Sequence, residues 1–137
     1  MKNLNQVSNS IVTKGNELKK KQIKLHCSNK LINVPIDKIV RLEADCNYTV
    51  VHTHTDKYIS ARTLKHYEDI LDNTIFIRVH KSHLVNILHA KGLDIQESNS
   101  AIAVAFDRGK NIEISRRKVK AVIEKFAFYK NRNLIPS

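Results

Sequence analysis

Glycine is scarce in this chain, with three in 137 residues and no two of them close together. That excludes a Gly-rich phosphate cradle, and neither G-x-S-x-G nor H-E-x-x-H occurs. Two cysteines, Cys27 and Cys46, lack the paired spacing of a zinc site or a disulfide scaffold, and fit small reduced residues of a cytoplasmic protein. Tryptophan is absent, and only two prolines interrupt the chain. No apolar run approaches the roughly 18 residues of a membrane span. The polar, basic N-terminus has no apolar stretch after it, so it does not read as a signal peptide. One soluble cytoplasmic domain with a basic arm or tail is the expectation.

What the chain has in excess is positive charge, a formal +11 from 24 Lys and Arg against 13 Asp and Glu. Residues 1–24 hold six Lys and one acid, and residues 115–137 hold seven Lys and Arg and one acid. The middle is balanced, so the two ends carry the whole excess. A basic arm alone attracts polyanions without selectivity. The C-terminal block is different, because it carries a structural pattern.

Ile112 and Ile114 alternate like a strand end, and Ser115 suits a helix N-cap. Val119, Val122, Ile123 and Phe126 then fall at i, i+3, i+4 and i+7, the apolar face of an amphipathic helix. Its first turn is Arg116-Arg117-Lys118. Cations there oppose the helix dipole, at about 0.3–1 kcal/mol each where exposed. Free N–H groups at a helix start favour anions instead. Three bases at that place make sense if a polyanion supplies the negative charge.

The eleven residues Phe76–Asn86, FIRVHKSHLVN, carry the second signal. Ile75, Ile77 and Val79 alternate with Phe76, Arg78 and His80 as a strand does, and the alternation stops at His80-Lys81-Ser82-His83. Leu84, Val85, Ile87 and Leu88 then resume an apolar pattern that would fix the polar loop to a core.

Most other segments read as short strands: 22–27, 32–36 with Pro35 at an edge or end, 40–44, 48–54 and 57–62 after a turn at Thr55-Asp56. Residues 90–97 and 101–106 follow, parted by a turn around Asn99, and Asp107-Arg108-Gly109-Lys110 signals a hairpin. Leu64, Tyr67, Ile70 and Leu71 have helical spacing, stopped by Asn73. The first twenty-odd residues read as a flexible basic arm. The class is mostly β with one or two helices.

Catalysis finds little support. His52 and His54 share a strand face and, with His80 or His83, would offer metal ligands, but no carboxylate or Cys cluster stands at ligand spacing. Asp37, Glu43 and Asp45 sit near strand ends, where turn and cap roles predominate. Ser82 lies between two histidines without an acyl-transfer frame around it. Neither metal nor cofactor is expected, and the chain does not read as an enzyme.

Three blocks in order, LEADCNYT (42–49), FIRVHKSHLVN (76–86) and EISRRKVKAV (113–122), closely resemble the LytTR DNA-binding domain of the LytR/AlgR family of bacterial transcriptional regulators. SARTLKHYEDIL (60–71) matches that family's link between the first two. The resemblance covers about residues 21–127. It implies elongated antiparallel sheets with short helices and a C-terminal amphipathic helix, and a domain at 21–128 between a basic arm (1–20) and a short tail (129–137). It also implies that loops, not a recognition helix, enter the major groove of double-stranded DNA.

Carried onto this sequence, the resemblance implies three reading loops. Lys81 and Arg117 are the expected base contacts, with Thr49 or Asn47 a third; Arg and Lys commonly meet guanine O6/N7. Arg78, Ser82, Arg116, Lys118 and Lys120 are expected to hold phosphate or the loop, as are Tyr48 and Ser115. His80 and Asn86 are expected in structural hydrogen bonds, and Glu43 and Asp45 in bracing the first loop. About 20 residues precede the first strand, too few for the receiver domain of many relatives, so a stand-alone regulator is expected. The resemblance implies paired direct-repeat sites, self-association on DNA, and control by abundance or by a regulatory partner, for example a membrane-bound one. The alternative reading is a non-catalytic basic β module that binds RNA, single strands or an acidic protein. Single-strand binders present stacking aromatics, whereas the four Tyr and four Phe here mostly fall at core-like positions.

Overall fold

The computed structural model describes residues 21–95 and 102–133. The basic arm, the turn around Asn99 and the last four residues lie outside this range. Among the described residues ten strands form three antiparallel sheets. β1 (Gln22–Cys27) and β2 (Lys30–Pro35) make a hairpin that ends at its proline, which has no N–H to extend the ladder. β3 (Ile39–Asp45), β4 (Tyr48–Thr53), β5 (Lys57–Ser60), β6 (Phe76–His80) and β7 (His83–Asn86) make a five-stranded sheet in the order β5-β4-β3-β7-β6. β8 (Gly92–Ile95), β9 (Ile102–Ala105) and β10 (Asn111–Glu113) make the third.

The period-2 pattern explains the large sheet. In β4, Thr49 and Val51 are fully buried while Val50 and His52 face the other side and are only partly buried. Leu42 and Leu84 lie opposite each other across β3 and β7, and both are fully buried. Each such side chain contributes about 1.5–3 kcal/mol through removal from water. A single apolar core runs from Ile23 and Leu25 in the first hairpin, through this sheet, to Val104, Ile112 and Phe126.

Helix α1 (Leu64–Ile70) covers the Leu42–Leu84 face. Thr63 caps it by accepting the His66 N–H at 3.2 Å. Leu64, Tyr67 and Leu71 point inward, and the Tyr67 hydroxyl bonds Ser60 Oγ across the interface. Ile70, expected on the buried face, is 53% exposed. The α-helix stops there, and Leu71, the C-cap, is the residue that turns into the core.

The hairpin signal at 107–110 is realised as a 3₁₀ turn, Asp107–Gly109, with Gly109 at φ +75°. A second difference lies at the C-terminal helix. Ser115 makes no side-chain cap bond, and Arg116–Lys118 form a 3₁₀ turn ahead of α2 (Val119–Asn133). The Ser115 N–H donates to the Val79 carbonyl at 2.8 Å, tying the segment to β6, and the Ser115 carbonyl accepts the Lys118 N–H at 2.8 Å, closing the 3₁₀ turn. Val122 and Phe126 are buried as expected, while Ile123 is 38% exposed. The helix continues to Asn133, so residues 129–133, read from sequence as tail, are helical.

Candidate nucleic-acid interface

Strand order brings two turns to one end of the large sheet. β3 leads into the Cys46-Asn47 turn after Asp45, and β7 leaves the Lys81-Ser82 turn at His83. β3 and β7 are antiparallel neighbours with Glu43 opposite His83, so both turns emerge side by side. The Ala44 N–H donates to the Ser82 carbonyl at 2.9 Å and joins them. The bond from Ser115 to Val79 adds the Arg116–Lys118 turn on the far side of β6. Three segments distant in sequence thus lie in a row along one sheet end.

The middle turn is held from within. The Arg78 guanidinium donates from Nε to the His80 carbonyl at 2.9 Å and from one terminal nitrogen to the Lys81 carbonyl. Its other terminal nitrogen meets Glu68 Oε1 of α1 at 2.6 Å. The Ser82 N–H donates to His80 Nδ1 at 3.1 Å. Lys81 itself stays exposed. A cleft of about 440 Å³ opens between this turn and the next, lined by Glu68, Arg78, His80, Lys81, Ser115, Arg117 and Lys118.

The expected site residues therefore divide. Lys81, Arg117, Arg116, Lys120 and Asn47 are exposed, Tyr48 is half-exposed, and Ser82, Ser115 and Lys118 are partly covered. Thr49 is a correction. It is fully buried, and its hydroxyl donates to the Arg62 carbonyl at 2.7 Å, so it has no free group for a base edge. Arg78, expected to hold phosphate or the loop, is engaged with the protein at all three guanidinium nitrogens and ties the turn to α1. Asn86 is buried, donating to the Ile39 carbonyl and accepting the Leu88 N–H, both at 2.8 Å.

Behind the first two turns lies a polar row. Glu43 Oε1 meets His52 Nε2 at 3.0 Å and Arg41 at 3.4 Å. Burial works to raise the Glu43 carboxyl, but the hydrogen bond from His52 and the Arg41 charge more than offset it, leaving it below the usual carboxylate value. Burial pushes His52 down despite the pull of Glu43, so a neutral imidazole donates to a carboxylate. Burial also lowers His83, whose Nδ1 has no hydrogen-bond partner among the described residues. His54 turns instead to His89, with its Nε2 at 3.1 Å from His89 Nδ1, so His52 and His54 serve different partners.

Sequence reasoning missed Glu68. A signal was present: at i+4 from Leu64 and next to Tyr67 it borders the buried helix face, where a carboxylate requires a cation.

A β domain that gathers polar and basic turns at one sheet end is the class these features define. The LytTr DNA-binding domain profile matches residues 29–127, and the chain belongs to that family. It is similar to the LytTr DNA-binding domain of a Bacillus cereus protein assigned as a methyl-accepting/DNA response regulator. That match has a TM-score of 0.67 and 25% identity, over 77% of this chain and 96% of that one. The heme-containing CO-sensing transcriptional regulator RcoM 1 of Paraburkholderia xenovorans is 28% identical over 93 residues, 68% of this chain and 34% of that protein. The transcriptional regulatory protein LytR of Staphylococcus aureus strain N315 is 33% identical over 72 residues, 53% of this chain and 29% of that protein. The chain thus spans about a third of the length of these two curated relatives. Among the described residues no helix is long and apolar enough to cross a membrane.

Proposed function

We propose that this chain is the DNA-binding part of a transcriptional regulator, and that it reads the major groove of a specific duplex through turns at one sheet end. The observation that carries the reading is the cleft that joins Lys81 of one turn to Arg117 and Lys118 of another. Three strand spacings separate β4 from β6, roughly 14 Å, comparable with a major groove about 12 Å wide. Lys81 and Arg117 are the base readers, with Asn47 a third. Arg116, Lys118 and Lys120 hold phosphates and set the register. Two copies bind paired direct repeats, half-sites lying one or two helical turns apart on one face.

The test is a selection of duplexes from a random pool, followed by fluorescence anisotropy competition. A selected duplex should outcompete random duplex and single strand by at least about 10³-fold, as specific sites typically do. Equal affinity for random duplex and single strand would sink the reading and favour a basic module for RNA or single strands.

A further inference from the structure

We propose that Glu68 of α1 is a positioning residue for base recognition, acting through Arg78 on the turn that carries Lys81; the inference rests on the DNA-reading function proposed above. Three observations converge. Glu68 lies in the basic cleft, the one carboxylate among its lining residues. Its Oε1 holds Arg78 at 2.6 Å, with side-chain exposures of 35% and 20%. The same guanidinium grips the carbonyls of His80 and Lys81. The planar guanidinium has a fixed fork of donors, so anchoring one nitrogen sets the direction of the others. Glu68 thereby fixes the backbone from which Lys81 projects.

The carboxylate has a second effect. Left alone in a cationic cleft, Arg78 would be drawn to a phosphate, which adds affinity without sequence information. Paired with Glu68, it stays with the protein. One acid then favours selectivity twice, by holding the reader's turn and by keeping a nonspecific cation away from the backbone.

Glu68→Gln tests this in the otherwise intact chain, with a selected and a random duplex as probes. Random-duplex affinity should rise, its log–log salt slope should steepen by about one unit, and the preference for the selected duplex should fall about tenfold. The double variant Glu68→Gln/Arg78→Gln should return the slope to wild type but leave the preference low. Glu68→Asp, which keeps the charge, should restore most of the preference. In DNA-free protein, hydrogen exchange at the Lys81 and Ser82 amides should quicken about tenfold in Glu68→Gln.

Unchanged exchange at those amides would overturn the inference whatever the DNA result. So would a lowered melting temperature with preference and salt slope unaltered, the mark of a plain strut. A variant that keeps its degree of preference but selects a different base at one position would show Glu68 touching DNA itself, which also overturns it. If the wild-type protein prefers no duplex, the DNA-reading proposal fails instead, and the exchange measurement still decides whether Glu68 holds the turn.

Discussion

The Cys46-Asn47 turn and the Lys81-Ser82 turn stand side by side at one end of the large sheet, and they are built differently. The second is gripped by Arg78 at two carbonyls, by His80 at the Ser82 amide and by the neighbouring Ala44 amide. The first places Cys46 in the left-handed region at φ +57°, and among the described residues no side chain bonds to Cys46 or Asn47. Its buried anchor is Thr49, inside the sheet. A turn held by charge-assisted bonds can present a side chain in one direction, which recognition of a base edge requires. A turn held only at its base has more freedom, which suits an adjustable contact. The contrast ranks Lys81 above Asn47 as a reader.

Removing the grip should have the largest effect. Arg78→Ala is expected to destabilise the fold by about 2–3 kcal/mol in urea unfolding, because it strips two carbonyls and a carboxylate that is about two-thirds covered. A loss under about 0.5 kcal/mol would erase the contrast between the turns.

Next come the proposed readers. Arg117→Ala and Lys81→Ala should each cost about 1–3 kcal/mol on a selected duplex and relax preference at one base pair. Asn47→Ala should cost less than either. If Arg117→Ala weakened selected and random DNA by one factor, it would be a phosphate contact.

Thr49→Val removes the hydroxyl bond to Arg62 and should lower stability by about 1 kcal/mol, with base preference unchanged. A change in preference with stability intact would restore Thr49 as a reader. Lys118→Ala should reduce the salt slope by roughly one unit on every sequence, the smallest effect on discrimination.

Acid offers a further probe of the polar row. His52 and His83 have values lowered from 6.5 in the fold, mainly by burial, so the unfolded chain binds protons first. The stability they contribute is full above about 6.5 and is lost as pH falls from there toward their folded values. Melting temperature should therefore drop as pH falls below about 6.5, and His83→Asn should flatten that drop. Glu43 adds a separate loss only below its ordinary 4.5.

Much of this arrangement was legible in the sequence. β1, β4 and α1 follow from alternation, β-branched residues and helical spacing, because local pattern and burial agree there. The three basic or polar loops were legible as motifs. What escaped depends on pairing between distant strands. No local pattern tells that Thr49 meets the Arg62 carbonyl, since exposed and buried threonines look alike in an alternating run. Ser115 looks like a helix cap, but its amide bonds β6 and a 3₁₀ turn without a side-chain cap stands before the helix. Ile70 and Ile123 match helical spacing but lie at the margin of the covered stripe, so neighbours decide their burial. Glu68 borders the buried helix face, but only the packing of β6 against α1 shows that Arg78 is the cation it meets.

One irregularity in β6 bears on how such a domain tolerates change. Arg78 lies opposite Leu84 and His80 opposite His83, so two residues, Val79 and His80, share one partner position. That extra residue keeps Arg78 facing α1 while His80 sits on the side of His83, their rings 5.5 Å apart. The segment is therefore constrained in length more strictly than in composition. Losing one residue between Arg78 and His83 would turn either the clamp or the reader to the wrong side, whereas a conservative replacement at Val79 changes packing alone. Insertions and deletions accumulated over descent should fall elsewhere, in the connections between sheets, and spare this one short interval.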